Sequence, residues 1–257
     1  MRTLDEKDFK HMKKLVSLSQ SQTKEFVAEF LEKFYSKIVE TPDYIFAEGA
    51  IPIALIAHMD TYFEDDSNDR SYIYHSYEGE MWNPHGAGFD DKAGIFSIFK
   101  ILEKGYLPHV IFTTDEEIGS LGALQLIEDI PKHPFNDLKY LLELDRANDF
   151  DCVFYGCNNQ EFIDYIESFG FVKASGISSD VKHISYVWKI AGVNLSIGYK
   201  YQHTKDEILN YHSMFETISK VENMLNDVSN LSEPFKYMDK NEKKDNKDKA
   251  NGNKVRE

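Results

Sequence analysis

Pro52-Ile-Ala-Leu-Ile-Ala57 is a nearly unbroken apolar run of strand length, and it stops at His58-Met59-Asp60. A strand with one wet face alternates apolar and polar residues, so a run without alternation points to a strand covered on both faces. Three more runs read the same way, at 110–114, 138–144 and 193–197. Between and after them the period changes to that of amphipathic helices, at 93–103, 121–130, 161–169, 181–190 and 215–228. Strands that alternate with helices predict a largely parallel sheet sandwiched between two helical layers, the α/β class. Ahead of the first strand, Phe26, Phe30, Phe34 and Ile38 recur at four-residue spacing, backed by Val27 and Leu31. That spacing predicts the second of two opening helices, with His11 exposed on the first. Residues 63–83, rich in Asp, Ser and Tyr, read as a loop or hairpin excursion.

The chain of 257 residues, 42% hydrophobic, is long enough for one sizeable core. Its formal charge is −15; 22 of its 29 cations and 39 of its 44 acids precede Asp239, so that body carries −17. Such a body repels phosphates, which argues against nucleic acid as a partner. No apolar run approaches the roughly 20 residues of a membrane span, and Met1 to Lys14 lacks the apolar core of a signal peptide. Cys152 and Cys157 are the only cysteines, which gives no disulfide framework and predicts two packing residues in a reducing cytoplasm. The reading divides the chain into one folded domain over 1–238 and a tail over 239–257. Apolar residues nearly vanish in the tail, which is predicted to be disordered.

Polar residues gather where the apolar runs end, the edge at which open α/β sheets place their ligands. His58-Met-Asp60 follows the first run. Gly86-Ala-Gly-Phe-Asp90-Asp91-Lys92-Ala-Gly94 opens a helix, and Asp115-Glu116-Glu117-Ile-Gly119 follows the strand at 110–114. Asp145 ends the strand at 138–144, and His203-Thr-Lys-Asp-Glu207 follows that at 193–197. Each signal has a plain structural alternative: a strand-end histidine, carboxylates suiting a helix N-terminus, a solvated acidic turn. Together they bring two imidazoles and several carboxylates to one sheet edge, a donor set that suits zinc and related divalent ions. The donors are too many for one tetrahedral ion and about right for two that share a bridge. No His-Glu-x-x-His zinc motif and no Gly-x-Ser-x-Gly nucleophile elbow is present.

These motifs, in this order, resemble the co-catalytic zinc metallopeptidases, a superfamily that includes tripeptidase T, bacterial leucyl aminopeptidase, carboxypeptidase G and acetylornithine deacetylase. The agreement runs from about residue 20 to 230, and Thr113-Thr-Asp-Glu-Glu-Ile-Gly119 is especially tripeptidase-like. The resemblance implies a zinc-peptidase fold with a mixed, mostly parallel sheet and two bound divalent ions, zinc in first place, with cobalt or manganese as alternatives. It implies that Asp90 bridges the two ions, that His58 and Asp145 complete one site, and that Glu117 and His203 complete the other. Asp60 would stand behind His58 and fix its tautomer, Glu116 would be the general base, and the Asp90–Asp91 peptide would be cis. Only 58 positions separate Asp145 from His203. Two predicted helices and one strand fill them, so no inserted lid domain is expected, unlike the carboxypeptidase and deacylase branch.

The reading that follows is a metal-dependent hydrolase of peptide or amide bonds, an aminopeptidase acting on short peptides. The alternatives are a deacylase of N-acyl amino acids, an enzyme like glutaminyl cyclase, or a metal-binding or interaction module without catalysis. For substrate contacts, Arg146 either reaches a substrate carboxylate or balances local charge, and His85 is placed at the entrance. Ser178-Ser179-Asp180 reads as a helix N-cap. The sequence leaves the oligomeric state open.

Overall fold

The structure, a computed structural model, describes residues 4–63, 74–75 and 79–239. Tail residues 240–257 lie outside the described residues, as does most of the excursion read at 63–83. The four apolar runs are strands β3 (Ile51–His58), β6 (Pro108–Thr113), β7 (Tyr140–Arg146) and β10 (Gly192–Ser196). β3 lies at the centre, parallel to β6 on one side and to β7 on the other, and β10 continues the parallel set beyond β7. Short antiparallel strands flank this core. β2 (Tyr44–Ala47) joins β6 and carries β1 (Ile38–Glu40), while β8 (Asp151–Val153) joins β10 and leads to β9 (Val172–Lys173). The result is an eight-stranded, mixed, mostly parallel sheet.

Both faces of the sheet are covered, as the unbroken apolar runs require. Along β3, Ile53, Leu55 and Ala57 face one core and Ala54 and Ile56 the other. The first core packs α1 (Glu6–Ser17), α2 (Gln20–Leu31), α3 (Phe89–Glu103), α5 (Gln160–Ser168) and α7 (Tyr211–Asp227). The second packs α4 (Leu121–Asp129) and α6 (Asp180–Trp188). Three layers result, and residues 146–202 form part of them instead of a separate lid. They hold the two expected helices, but four strands in place of one: β8, β9, β10 and β11 (Tyr199–Lys200).

Two expectations from periodicity are corrected. α2 is capped by a box in which Ser19 and Gln22 exchange side-chain-to-backbone hydrogen bonds, but it ends at Leu31, and Ile38 starts β1. The four-residue spacing of Phe26, Phe30, Phe34 and Ile38 therefore outruns the helix; Phe34 packs from the turn beyond it, its ring tilted against that of Phe30 with centroids 5.2 Å apart. His11 is half-buried rather than exposed, set among Phe26, Phe30, Phe96 and Phe99. Of the excursion, β4 (Tyr74–His75) pairs antiparallel with β5 (Glu80–Trp82). With β11 and β12 (Ile208–Asn210) they make a second, four-stranded sheet. Among the described residues, no helix is long and apolar enough to cross a membrane.

Candidate active site

The carboxyl ends of the parallel strands converge where the sequence placed its polar motifs. β3 delivers His58, whose ring is buried. Its Nδ1 lies 3.1 Å from Asp60 Oδ1, while Nε2 faces Asp90 Oδ1 at 3.1 Å and Asp145 Oδ1 at 3.3 Å. Asp145 comes from the end of β7, beside β3. On the other side of Asp90, Oδ2 lies 3.2 Å from His203 Nε2, which is also 2.8 Å from Glu117 Oε2. One carboxylate thus stands between two imidazoles, and each imidazole has a second carboxylate of its own.

The loop into α3 explains how Asp90 comes to stand there. Gly88 has φ +70°, and a Cβ on it would lie 2.6 Å from Thr61 Oγ1, so only glycine lets the loop pass. The Asp90–Asp91 peptide is cis, and both residues depart from helical dihedrals although they begin α3. Asp91 is engaged by main-chain donors. Its Oδ1 accepts the Gly94 N–H at 2.9 Å and its Oδ2 the His58 N–H at 3.3 Å. An Asp91 oxygen does lie close to His58 and Asp145, but backbone donors engage both of its oxygens, so Asp90 is the freer donor. Gly94 completes the fit: a Cβ there would meet the Leu144 carbonyl at 2.3 Å.

The acidic turn is held by two side chains. Gln20, first residue of α2, donates to Asp115 Oδ1 and accepts from the Asp115 N–H, both at 2.9 Å. Asp60 accepts the N–H groups of Glu116 and Glu117 at 3.1 and 3.0 Å. Asp60 therefore grips the turn as well as the His58 ring, which the sequence reading did not foresee.

So many carboxylates in one buried space raise one another's proton affinity. Burial pushes the Glu116 carboxyl up to about 9, with Asp145, Asp180 and Asp90 adding repulsion against the pull of His58. Burial and the Asp90 charge push Asp145 up to about 7. Burial works against the Asp90 charge too, but hydrogen bonds from His203 and His58 hold its carboxyl well below the usual range. The hydrogen bonds that His203 donates to Asp90 and Glu117 carry it up to about 10. This excess of negative charge calls for a cation. Glu117 Oε1 makes the same demand, being buried without a hydrogen-bond partner, which a carboxylate oxygen tolerates only at a cost. His58, Asp90 and Glu117 offer donor atoms within 4.8 Å of one another. Imidazole nitrogen with carboxylate oxygen is a zinc-type donor set, and the residues present fit such an ion.

Arg146 donates from Nη2 to the Ser175 carbonyl at 3.3 Å and lies 3.9 Å from Asp151. His85 is exposed, its N–H donating to Asn83 Oδ1 at 2.9 Å. Ser179 does occupy the N-cap position of α6, yet its side chain makes no capping bond. Its hydroxyl donates instead to Glu143 and lies 3.3 Å from Asp145 Oδ2. Glu143 was visible in sequence as a lone acid inside the apolar run at 138–144, and it is fully buried beneath the site. Asp180 is buried as well, taking a hydrogen bond from Thr113. Tyr62 stacks on His203, ring centroids 4.9 Å apart. Glu207, quoted with His203 but given no role, is buried against the start of α3. Cys152 and Cys157 are free and buried.

No protein-family model and no curated protein matches the chain in sequence. Solved structures do match in shape. A tripeptidase from Staphylococcus aureus superposes with TM-score 0.68 at 13% identity, over 90% of this chain and 100% of that one. The aminopeptidase PepT from Bacillus cereus gives 0.65 at 14% identity, over 87% and 98%. An aminopeptidase from the archaeon Desulfurococcus kamchatkensis gives 0.64 at 14%, over 85% and 94%. These peptidases share the fold of this chain over 85 to 90% of its length.

Proposed function

We propose that this chain is a dinuclear metallopeptidase, an aminopeptidase that removes the first residue of short peptides. The observation that carries the reading is the Asp90 carboxylate between the His58 and His203 imidazoles, with Asp145 beside one and Glu117 beside the other. His58, Asp145 and Asp90 would hold one divalent cation, and Glu117, His203 and Asp90 the second. Bound there, such ions polarise a scissile carbonyl and make a water nucleophilic at neutral pH.

The protein's own groups do the rest. Asp60 takes the His58 Nδ1–H, which leaves the Nε2 lone pair facing Asp90 and Asp145. Glu116, held by its backbone to Asp60, accepts the proton of the attacking water and returns it to the leaving amine. Positive charge among the neighbouring carboxylates opposes the burial and repulsion that keep Glu116 protonated, and so frees it to act as a base. Net charge −15 favours the cationic amine of an unblocked peptide over an anionic end.

Metal analysis and matched substrates test the reading together. Protein stripped with chelator and reconstituted should bind two zinc ions per chain and cleave a leucyl tripeptide, with activity lost on N-acetylation. Saturation at one ion or fewer would overturn the dinuclear site. Preference for the acetylated peptide would move the chain to the deacylases, and cyclisation of an N-terminal glutamine to the cyclases.

A further inference from the structure

Glu207 makes the least expected contact near the site. Its side chain is buried, yet it lies on the loop after His203, most of which is exposed. Its Oε2 accepts the Gly88 N–H at 2.5 Å and its Oε1 the Asp90 N–H at 3.1 Å, and the Phe89 N–H also helps to hold it. α3 has no cap from its own sequence, because Gly88 stands at the N-cap and has no side chain to offer. A carboxylate from more than a hundred residues downstream fills that role. Its two oxygens accept N–H groups at the start of α3 that would otherwise lack partners.

The position of this cap matters more than the cap itself. It holds the backbone of Asp90, and it lies four residues from His203. His203 sits at φ +62° with its side chain 42% exposed, on a turn whose backbone is tied down by a 3.2 Å bond from the Glu207 N–H to the Thr204 carbonyl. Asp90 and His203 are far apart in sequence but must sit 3.2 Å from one another. We propose that Glu207 is a positioning residue that fixes the distance between Asp90 and His203, and thereby sets the affinity of the cation these two share. The inference rests on the reading of both as metal ligands.

The test compares four full-length proteins: the unaltered chain, Glu207→Gln, Glu207→Asp, and Val221→Ala as a control in the core of α7. Zn2+ affinity is read by competition with a chromophoric chelator, coordination by the visible spectrum of the Co2+ form, and stability by denaturant unfolding. Gln keeps the shape but turns an N–H2 donor towards backbone donors. Glu207→Gln should weaken metal binding by about 10- to 100-fold, the scale for losing a group that orients a ligand, and should alter the Co2+ spectrum. Glu207→Asp, which keeps the charge on a shorter arm, should fall between the two and carries the test if Glu207→Gln does not fold. Val221→Ala should lose stability with unchanged affinity and spectrum. Unchanged affinity and spectrum in both Glu207 variants would overturn the proposal while leaving the dinuclear reading intact. Failure of the unaltered chain to bind metal would overturn both.

Discussion

At the scale of the residue, Glu116 and Glu117 are neighbours in sequence that face different surroundings. Asp60 holds both backbone N–H groups, so the two side chains leave the turn from fixed points. Glu117 reaches His203 at 2.8 Å. Glu116 stays within the field of Asp145, Asp180 and Asp90. Replacement of Glu116 by Gln should therefore leave two metal ions bound and the fold intact, yet lower kcat by at least ~100-fold. Metal analysis beside steady-state kinetics checks this, and near-normal turnover would place the base elsewhere. That both acids stand at a strand end was legible in sequence, because the acidic triplet directly follows a buried apolar run. The grip of Asp60 on the backbone was not, because a bond to a main-chain N–H leaves no signature in residue type. For the same reason Glu207 was quoted in its motif without a role.

Among the elements, the four buried strands were legible because both of their faces are dry. β8, β9 and β11 were not, since two or three residues carry too little pattern to count a period. The overrun of α2 has a related cause: apolar side chains in a turn pack into the same core as those on the helix. Strand β6 also holds a group whose effect shows only in the packed protein. His109 is buried, with Nδ1 accepting the Gly49 N–H at 3.1 Å and its ring stacked on Phe135 at 4.4 Å. Burial, opposed only in part by Glu48 and the Asn136 backbone, lowers the His109 pKa from 6.5 to about 4. In the unfolded chain the ring takes up its proton at the higher value. Its contribution to stability is thus complete above pH 6.5, declines as pH falls, and is lost once pH passes below about 4. The window corresponds to roughly 3 kcal/mol. Unfolding curves across it should fall more steeply for the unaltered chain than for His109→Gln, which keeps an acceptor for Gly49 but cannot titrate. Parallel curves would assign the acid sensitivity to other groups.

Over the whole molecule, charge acts at longer range than any contact. A net charge of −15 draws cationic peptides towards an acidic site and is screened by salt. Raising ionic strength from about 0.01 to about 0.1 M shortens the screening length from ~30 to ~10 Å. KM for a lysine-rich tripeptide should then rise by about threefold or more, while that for a neutral tripeptide stays nearly constant. Equal responses would show that the body's charge does not reach the substrate.

The sheet order has a consequence for how the molecule comes into being. Its central pairings join distant stretches: β3 to β7 from Ile53 to Tyr140, and β7 to β10 from Leu141 to Gly192. The five proposed donors ride on the ends of these strands and on loops beyond them, from His58 to His203. No fragment of the chain carries the site, and parallel pairings of this separation are slow to close, because loop entropy is spent before contact is made. A chain still emerging from the ribosome holds the donors scattered, with no more appetite for a cation than any acidic coil. In the proposed dinuclear site, capture of metal would therefore belong to the end of folding. It would act as a latch on the finished sheet, adding about 4 kcal/mol per ion when free metal stands a thousandfold above Kd.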